Sequence, residues 1–208
     1  MLIKICGIST PETMDAAVEA GATHVGLVNF EASPRHVTLE AAASLRARVP
    51  AGVKVVLLTV NMAPTDLSRA VDLVQPDVLQ FHGRETPDWL AKLRETLECE
   101  IWKAVGLRDQ GTLERCRQWI GKADRILFDA PAKALPGGNG EAFDWQLLAN
   151  HDHKMDWGLA GGLGPDNVAE AIRLTAAPLV DTSSGVETAP GQKNPALIQS
   201  FCEAVRGA

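Results

Sequence analysis

Leu2-Ile-Lys-Ile-Cys6-Gly7-Ile8-Ser9 is a short aliphatic run that ends on a cysteine and breaks at a single glycine. It reads as a β-strand followed by a strand-to-helix turn. A doubly wound open sheet would carry its dominant Gly-rich turn at this point. This chain instead keeps its glycine clusters for the end, in Leu159-Ala-Gly-Gly-Leu-Gly-Pro165 and Asp181-Thr-Ser-Ser-Gly-Val-Glu187. That distribution favours a closed barrel of parallel strands, in which phosphate sites lie in the loops after the last two strands.

Outward from this turn, eight short β-branched or aliphatic runs alternate with stretches whose apolar residues recur at helical spacing. The predicted strands span 2–6, 24–28, 53–60, 78–81, 100–104, 125–128, 157–160 and 178–181. Thr10 caps the first helix with Pro11 at its first position; Met14, Ala17 and Val18 form its buried stripe, and Gly21 closes it. Pro64 opens a helix with Leu67, Ala70, Val71 and Val74 on one face, and Pro165 and Pro195 open two more. Eight βα units in 208 residues predict a compact (β/α)8 TIM barrel forming a single domain over 1–208; such barrels typically run to about 250 residues.

The composition is that of an ordinary globular protein, 46% hydrophobic and 22% charged. A net charge of −6 argues against nucleic acid or an anionic membrane as partner. An anionic small molecule would therefore need local positive groups or backbone donors. Cys6, Cys99, Cys116 and Cys202 show neither CxxC pairing nor zinc-type spacing, so no metal site and no disulfide framework is expected. Reduced thiols and the absence of an apolar signal-length stretch fit a cytoplasmic protein.

Two strand ends carry chemistry. Cys6 ends the first strand and Asp129 ends Ile126-Leu-Phe-Asp129, which puts a thiol and a carboxyl group at the barrel mouth. One can remove a proton while the other donates one. The thiol must first ionise, and an unperturbed value of about 8.5 leaves little thiolate at neutral pH. Asp129 as an acid needs the opposite help, a raised pKa. Lys4 shares the strand face of Cys6 by parity and reads as a structural ion-pair partner. The two late Gly-rich loops, with Gly161, Gly162, Ser183, Ser184 and Gly185, together predict a phosphate monoester held by backbone N–H groups.

The ordered set Lys4-Ile-Cys-Gly-Ile8, Ser33-Pro-Arg35, Val60-Asn61, Gln80-Phe-His-Gly83, Leu127-Phe-Asp129, Gly137-Gly-Asn-Gly140, Phe143-Asp-Trp145, Ala160-Gly-Gly-Leu163 and Asp181-Thr-Ser-Ser-Gly-Val-Glu187 resembles the phosphoribosylanthranilate isomerase family of tryptophan biosynthesis over the whole chain. The resemblance implies a cofactor-free Amadori rearrangement, with Asp129 as general acid and Cys6 as general base. It further implies that Arg35 grips the anthranilate carboxylate through two parallel bonds and that Asp181 belongs to the substrate site. Gln80 and His82 end the fourth strand, where they line the mouth or, in the case of His82, serve equally well as a fixed hydrogen-bond donor in the barrel core. Asn61 is a weaker candidate, and Gly137–Gly140 reads as a mobile loop that either closes over the ligand or merely turns before Phe143.

Three departures from the family pattern stand out. Asn29 replaces an aromatic residue, which is expected to change the wall around the aromatic ring. Ala32 replaces a basic residue, which removes a charge near the mouth. The segment from Asp129 to Pro136 is slightly short. The alternatives are another phosphosugar isomerase or epimerase of similar shape, for which Cys6 is a poor fit, and a non-catalytic phosphosugar-binding barrel, in which Cys6 or Asp129 would be replaced. A monomer with a small phosphorylated substrate is expected.

Overall fold

The computed structural model describes residues 1–131, 143–149 and 151–208. Eight parallel strands close on themselves in sequence order: β1 (Leu2–Cys6), β2 (His24–Asn29), β3 (Lys54–Thr59), β4 (Val78–Phe81), β5 (Glu100–Gly106), β6 (Arg125–Asp129), β7 (Asp156–Leu159) and β8 (Leu179–Thr182). Helices α1 (Pro11–Glu19), α2 (Leu39–Arg46), α3 (Pro64–Val74), α4 (Pro87–Thr96), α5 (Gln110–Cys116), α6 (Gln146–Ala149), α7 (Val168–Thr175) and α8 (Pro195–Arg206) follow the strands in turn. This is the predicted (β/α)8 barrel, with every predicted strand present and ends shifted by one or two residues.

The helix starts follow their local chemistry. The Thr10 hydroxyl accepts the Thr13 N–H at the start of α1, with Pro11 at the first helical position where its missing N–H costs nothing. Met14 and Ala17 are buried as predicted, while Val18 and Val71 are only half-buried. The helix predicted to open at Pro165 begins instead at Val168. Asn167 is the reason: its carboxamide accepts the Gly164 N–H and donates to the Gly162 carbonyl, which bends 162–167 into a turn before the helix starts. The predicted Gly137–Gly140 loop lies outside the described residues, as does most of the short segment after Asp129.

One large apolar cluster fills the space between strands and helices. A second, including Val56, Val78, Trp102, Leu127 and Leu179, plugs the barrel interior, so the barrel is packed and not a pore. Register decides what stands above that plug. Lys4 on β1 is level with Asp181 on β8, and Cys6 is level with Gly26 on β2. A Cβ at Gly26 would approach the Cys6 sulfur to 2.9 Å, so the glycine leaves that thiol its room. A two-stranded hairpin, β9 (Glu187–Ala189) and β10 (Gln192–Lys193), follows the last barrel strand. Among the described residues, no helix is long and apolar enough to cross a membrane.

Candidate active site

The carboxyl ends of the strands surround a cleft. Cys6, Arg35, Gln80, His82, Asp129, Gly161, Gly162, Asp181, Ser183 and Ser184 all line it. Gly185 lies just behind the lining, and Asn61 is turned to another task. The Asn61 side-chain oxygen accepts the Arg84 N–H at 2.6 Å, which stitches the ends of β3 and β4 together.

Asp129 is 6% exposed, with one carboxylate oxygen accepting the Ala130 N–H at 2.8 Å. Burial, reinforced by the Asp181 charge, lifts its pKa to about 7. A carboxyl group there keeps a substantial protonated fraction at neutral pH. His82 Nε2 lies 3.5 Å from the other Asp129 oxygen. Burial and the Lys103 charge pull His82 down to about 4, so the contact joins a neutral imidazole to the acid and is no ion pair.

Lys4 donates to Asp181 at 2.9 Å, and both are buried. Burial would lower the Lys4 pKa, but Asp181 and Cys6 beside it hold it raised, so the ammonium is charged. For Cys6 the balance goes the other way: burial pushes the thiol up, and Lys4 and Lys193 recover only part of that shift. The parity argument for Lys4 as a structural partner therefore agrees with the geometry. Three buried polar atoms of the cleft have no partner among the described residues: Gln80 Oε1, His82 Nδ1 and Asp181 Oδ1. Buried polar groups are rarely left so, and three in one cleft form an incomplete hydrogen-bond set that a polyhydroxy ligand would complete.

Across the cleft the two Gly-rich loops interlock. Thr182 Oγ1 donates to the Leu163 carbonyl at 2.6 Å, and Gly161 and Gly162 adopt positive φ of 83° and 65°. Gly161 presses against the Ala130 backbone and Gly185 against the Leu163 carbonyl, so neither leaves space for a Cβ. The backbone N–H groups of Gly161, Gly162, Leu163, Ser183, Ser184 and Gly185 have no acceptor among the described residues. Such a concave set of donors is an anion cradle that needs no cationic side chain.

Arg35 is held differently from the sequence-based expectation. Its Nε and Nη2 donate to the two Glu187 oxygens at 2.8 and 2.7 Å, so this edge of the guanidinium is occupied. The end-on edge, with one N–H each from Nη1 and Nη2, remains for a ligand carboxylate. Glu187 also pairs with Lys193, which donates to the Ser183 carbonyl at 3.1 Å. Neither Glu187 nor Lys193 was singled out from sequence. The departure at Asn29 also has another meaning than expected: its side-chain amide donates to the Val37 carbonyl at 2.8 Å, away from the cleft. Phe30, with Val28, Leu58 and Val60, forms the apolar wall.

A (β/α)8 barrel with a thiol, a protonatable carboxyl and two donor-rich loops at one mouth has the construction of the phosphate-binding barrel enzymes. Residues 3–204 match the family model described as N-(5'phosphoribosyl)anthranilate (PRA) isomerase. The chain is 61% identical over 207 residues to N-(5'-phosphoribosyl)anthranilate isomerase of Erythrobacter litoralis, covering 100% of this chain and 99% of that protein. It is similar to the crystal structure of phosphoribosyl anthranilate isomerase from Thermotoga maritima, with a TM-score of 0.91, 32% identity and full coverage of both chains. A further solved isomerase, in complex with reduced 1-(o-carboxyphenylamino)-1-deoxyribulose 5-phosphate, aligns with a TM-score of 0.87, 32% identity and full coverage of both chains. The chain belongs to the N-(5'-phosphoribosyl)anthranilate isomerase family.

Proposed function

We propose that this cleft converts N-(5'-phosphoribosyl)anthranilate to 1-(2-carboxyphenylamino)-1-deoxyribulose 5-phosphate by an Amadori rearrangement, with Asp129 as acid and Cys6 as base. The chain is an isomerase of tryptophan biosynthesis. Asp129 gives its proton to the ribose ring oxygen, and the ring opens to a Schiff base between the sugar C1 and the anthranilate nitrogen. The Cys6 thiolate then takes the proton on C2, and the electron pair moves to form an enolamine. Protonation at C1 and loss of the C2 hydroxyl proton yield the ketone, so atoms and charge balance without a cofactor.

The observation that carries this reading is the Asp129 carboxyl raised to about 7 in the cleft that also holds the Cys6 thiol. The free N–H groups of the 161–163 and 183–185 loops receive the phosphate, the unpartnered atoms of Gln80, His82 and Asp181 receive sugar hydroxyls, and the free edge of Arg35 receives the ring carboxylate. Phe30 and its aliphatic neighbours hold the aromatic ring.

We further propose one domain over 1–208, a cytoplasmic location and a monomeric state. Among the described residues, the exposed large apolar side chains are Met1, Leu73 and Ile120, which lie before β1, on α3 and after α5. The chemistry is tested by running the reaction in D2O and following it by NMR. A ketone carrying a solvent deuteron at C1 is expected; a wild-type chain that forms no ketone from N-(5'-phosphoribosyl)anthranilate would overturn the reading.

A further inference from the structure

The hairpin after the last barrel strand places one buried carboxylate between the two ends of the site. Glu187 has only 4% of its side chain exposed, yet it meets two cations. It accepts from Arg35 through both oxygens and from Lys193, whose side chain is fully buried. Lys193 in turn donates to the Ser183 carbonyl at 3.1 Å and reaches its hydroxyl at 3.4 Å. Glu187 and Lys193 face each other across β9 and β10, so the hairpin register itself brings them together.

The hairpin turn is also docked on the loop that carries Arg35. Gly191 donates to Glu187 at 3.3 Å, and a Cβ there would strike the Pro34 carbonyl. Beneath the cluster, Gly7 is the floor: a Cβ at Gly7 would come within 2.6 Å of Arg35 Cδ and 3.2 Å of Lys193 Nζ. Burial alone would raise the Glu187 pKa, but Arg35 and Lys193 outweigh it and hold the carboxyl ionised. Two cations and one anion leave one net positive charge, presented at the end-on edge of Arg35.

We propose that Glu187 is a positioning residue that couples the two anionic ends of the substrate, fixing Arg35 for the ring carboxylate and, through Lys193, fixing the Ser183–Ser184 loop for the phosphate. A bidentate pair narrows the freedom of a long side chain, so less entropy is lost on binding. Because one carboxylate links both arms, a phosphate that settles the Ser183 end orders Lys193, Glu187 and Arg35 in turn, and the ring carboxylate then meets an arm already placed. The ring carboxylate should then be worth more on a phosphorylated ligand than on a dephosphorylated one. This inference rests on the isomerase reading above.

Four ligands test it by calorimetry: the reduced product analogue, its counterpart without the ring carboxylate, and the dephosphorylated form of each. In the wild-type chain, losing the carboxylate is expected to weaken the phosphorylated ligand about 30-fold, and the dephosphorylated one at least about fivefold less than that. Glu187→Gln should bring the two factors together, and Glu187→Asp should restore part of the difference. Lys193→Met keeps the Arg35–Glu187 pair but cuts its link to Ser183, so the carboxylate should keep its value yet become indifferent to the phosphate. Wild-type factors in Glu187→Gln, or a surviving difference in Lys193→Met should Glu187→Gln not fold, overturn the proposal. A wild-type chain that binds none of the four ligands overturns the functional reading and this inference with it.

Discussion

Asp129 and Cys6 hold their protons in an order opposite to the one their proposed roles require. Burial raises the thiol and lifts Asp129 to about 7. Above about pH 7 most molecules therefore carry a thiol and a carboxylate. The productive form, thiolate with carboxylic acid, is the minor tautomer of that same state. Between the two pKa values its share is constant, because the thiolate fraction rises with pH as the acid fraction falls. kcat/KM is expected to climb up to about pH 7, stay level above it, and fall where the thiol itself ionises. The lower limb belongs to Asp129 although its protonated form is the one required. A pH profile together with 13C NMR of labelled aspartate checks this; a lower limb near the ordinary carboxylate value of about 4 would remove the raised acid from the scheme. Cys6→Ser should cost kcat at least ~100-fold with little change in KM, as for a group acting in the transition state alone. Wild-type turnover in that variant would end the role of Cys6. Both residues were legible in sequence because a strand-end position follows from alternation and parity. Glu187 and Lys193 were not, because they meet only through a short hairpin whose one local cue is Gly191.

The two late βα loops proposed to hold the phosphate take their shape from contacts between them. Asn167 spans the first loop with two hydrogen bonds, and Thr182 ties the second to the Leu163 carbonyl. Gly185 completes the lock by resting its backbone on that same carbonyl. Gly185→Ala must push the loops apart, since the obstacle is backbone and not a flexible side-chain tip. KM is expected to rise at least ~10-fold with a smaller effect on kcat, the pattern for binding that persists through the reaction. Steady-state kinetics decide it, and an unchanged KM would place the phosphate elsewhere. Glycine clusters made both loops visible in sequence. The start of α7 was misplaced because a proline at 165 is a strong local signal, while Asn167 acts through loop bonds that only the folded turn reveals.

At the scale of the whole barrel, closure is uneven. β7 and β8 share one registered pair, Leu159 with Val180, whereas β2 and β3 share six from His24–Lys54 to Asn29–Thr59. The seam with the fewest registered pairs lies directly below the two loops whose N–H groups find no acceptor among the described residues. An anion held by both loops would bridge that seam and complete what the strands leave open. Ligand that binds only the folded chain stabilises it by mass action, by about 2.7 kcal/mol at a hundredfold excess over Kd. For a chain of this size that corresponds to a rise in Tm of roughly 5 to 10 °C. Inorganic phosphate should therefore raise Tm well beyond chloride at equal ionic strength. Hydrogen exchange should slow most at the amides of 159–163 and 180–186, because local opening of that seam is what the anion prevents. Equal protection around the barrel, or a Tm unmoved by phosphate, would mean that no anion ties β7 to β8.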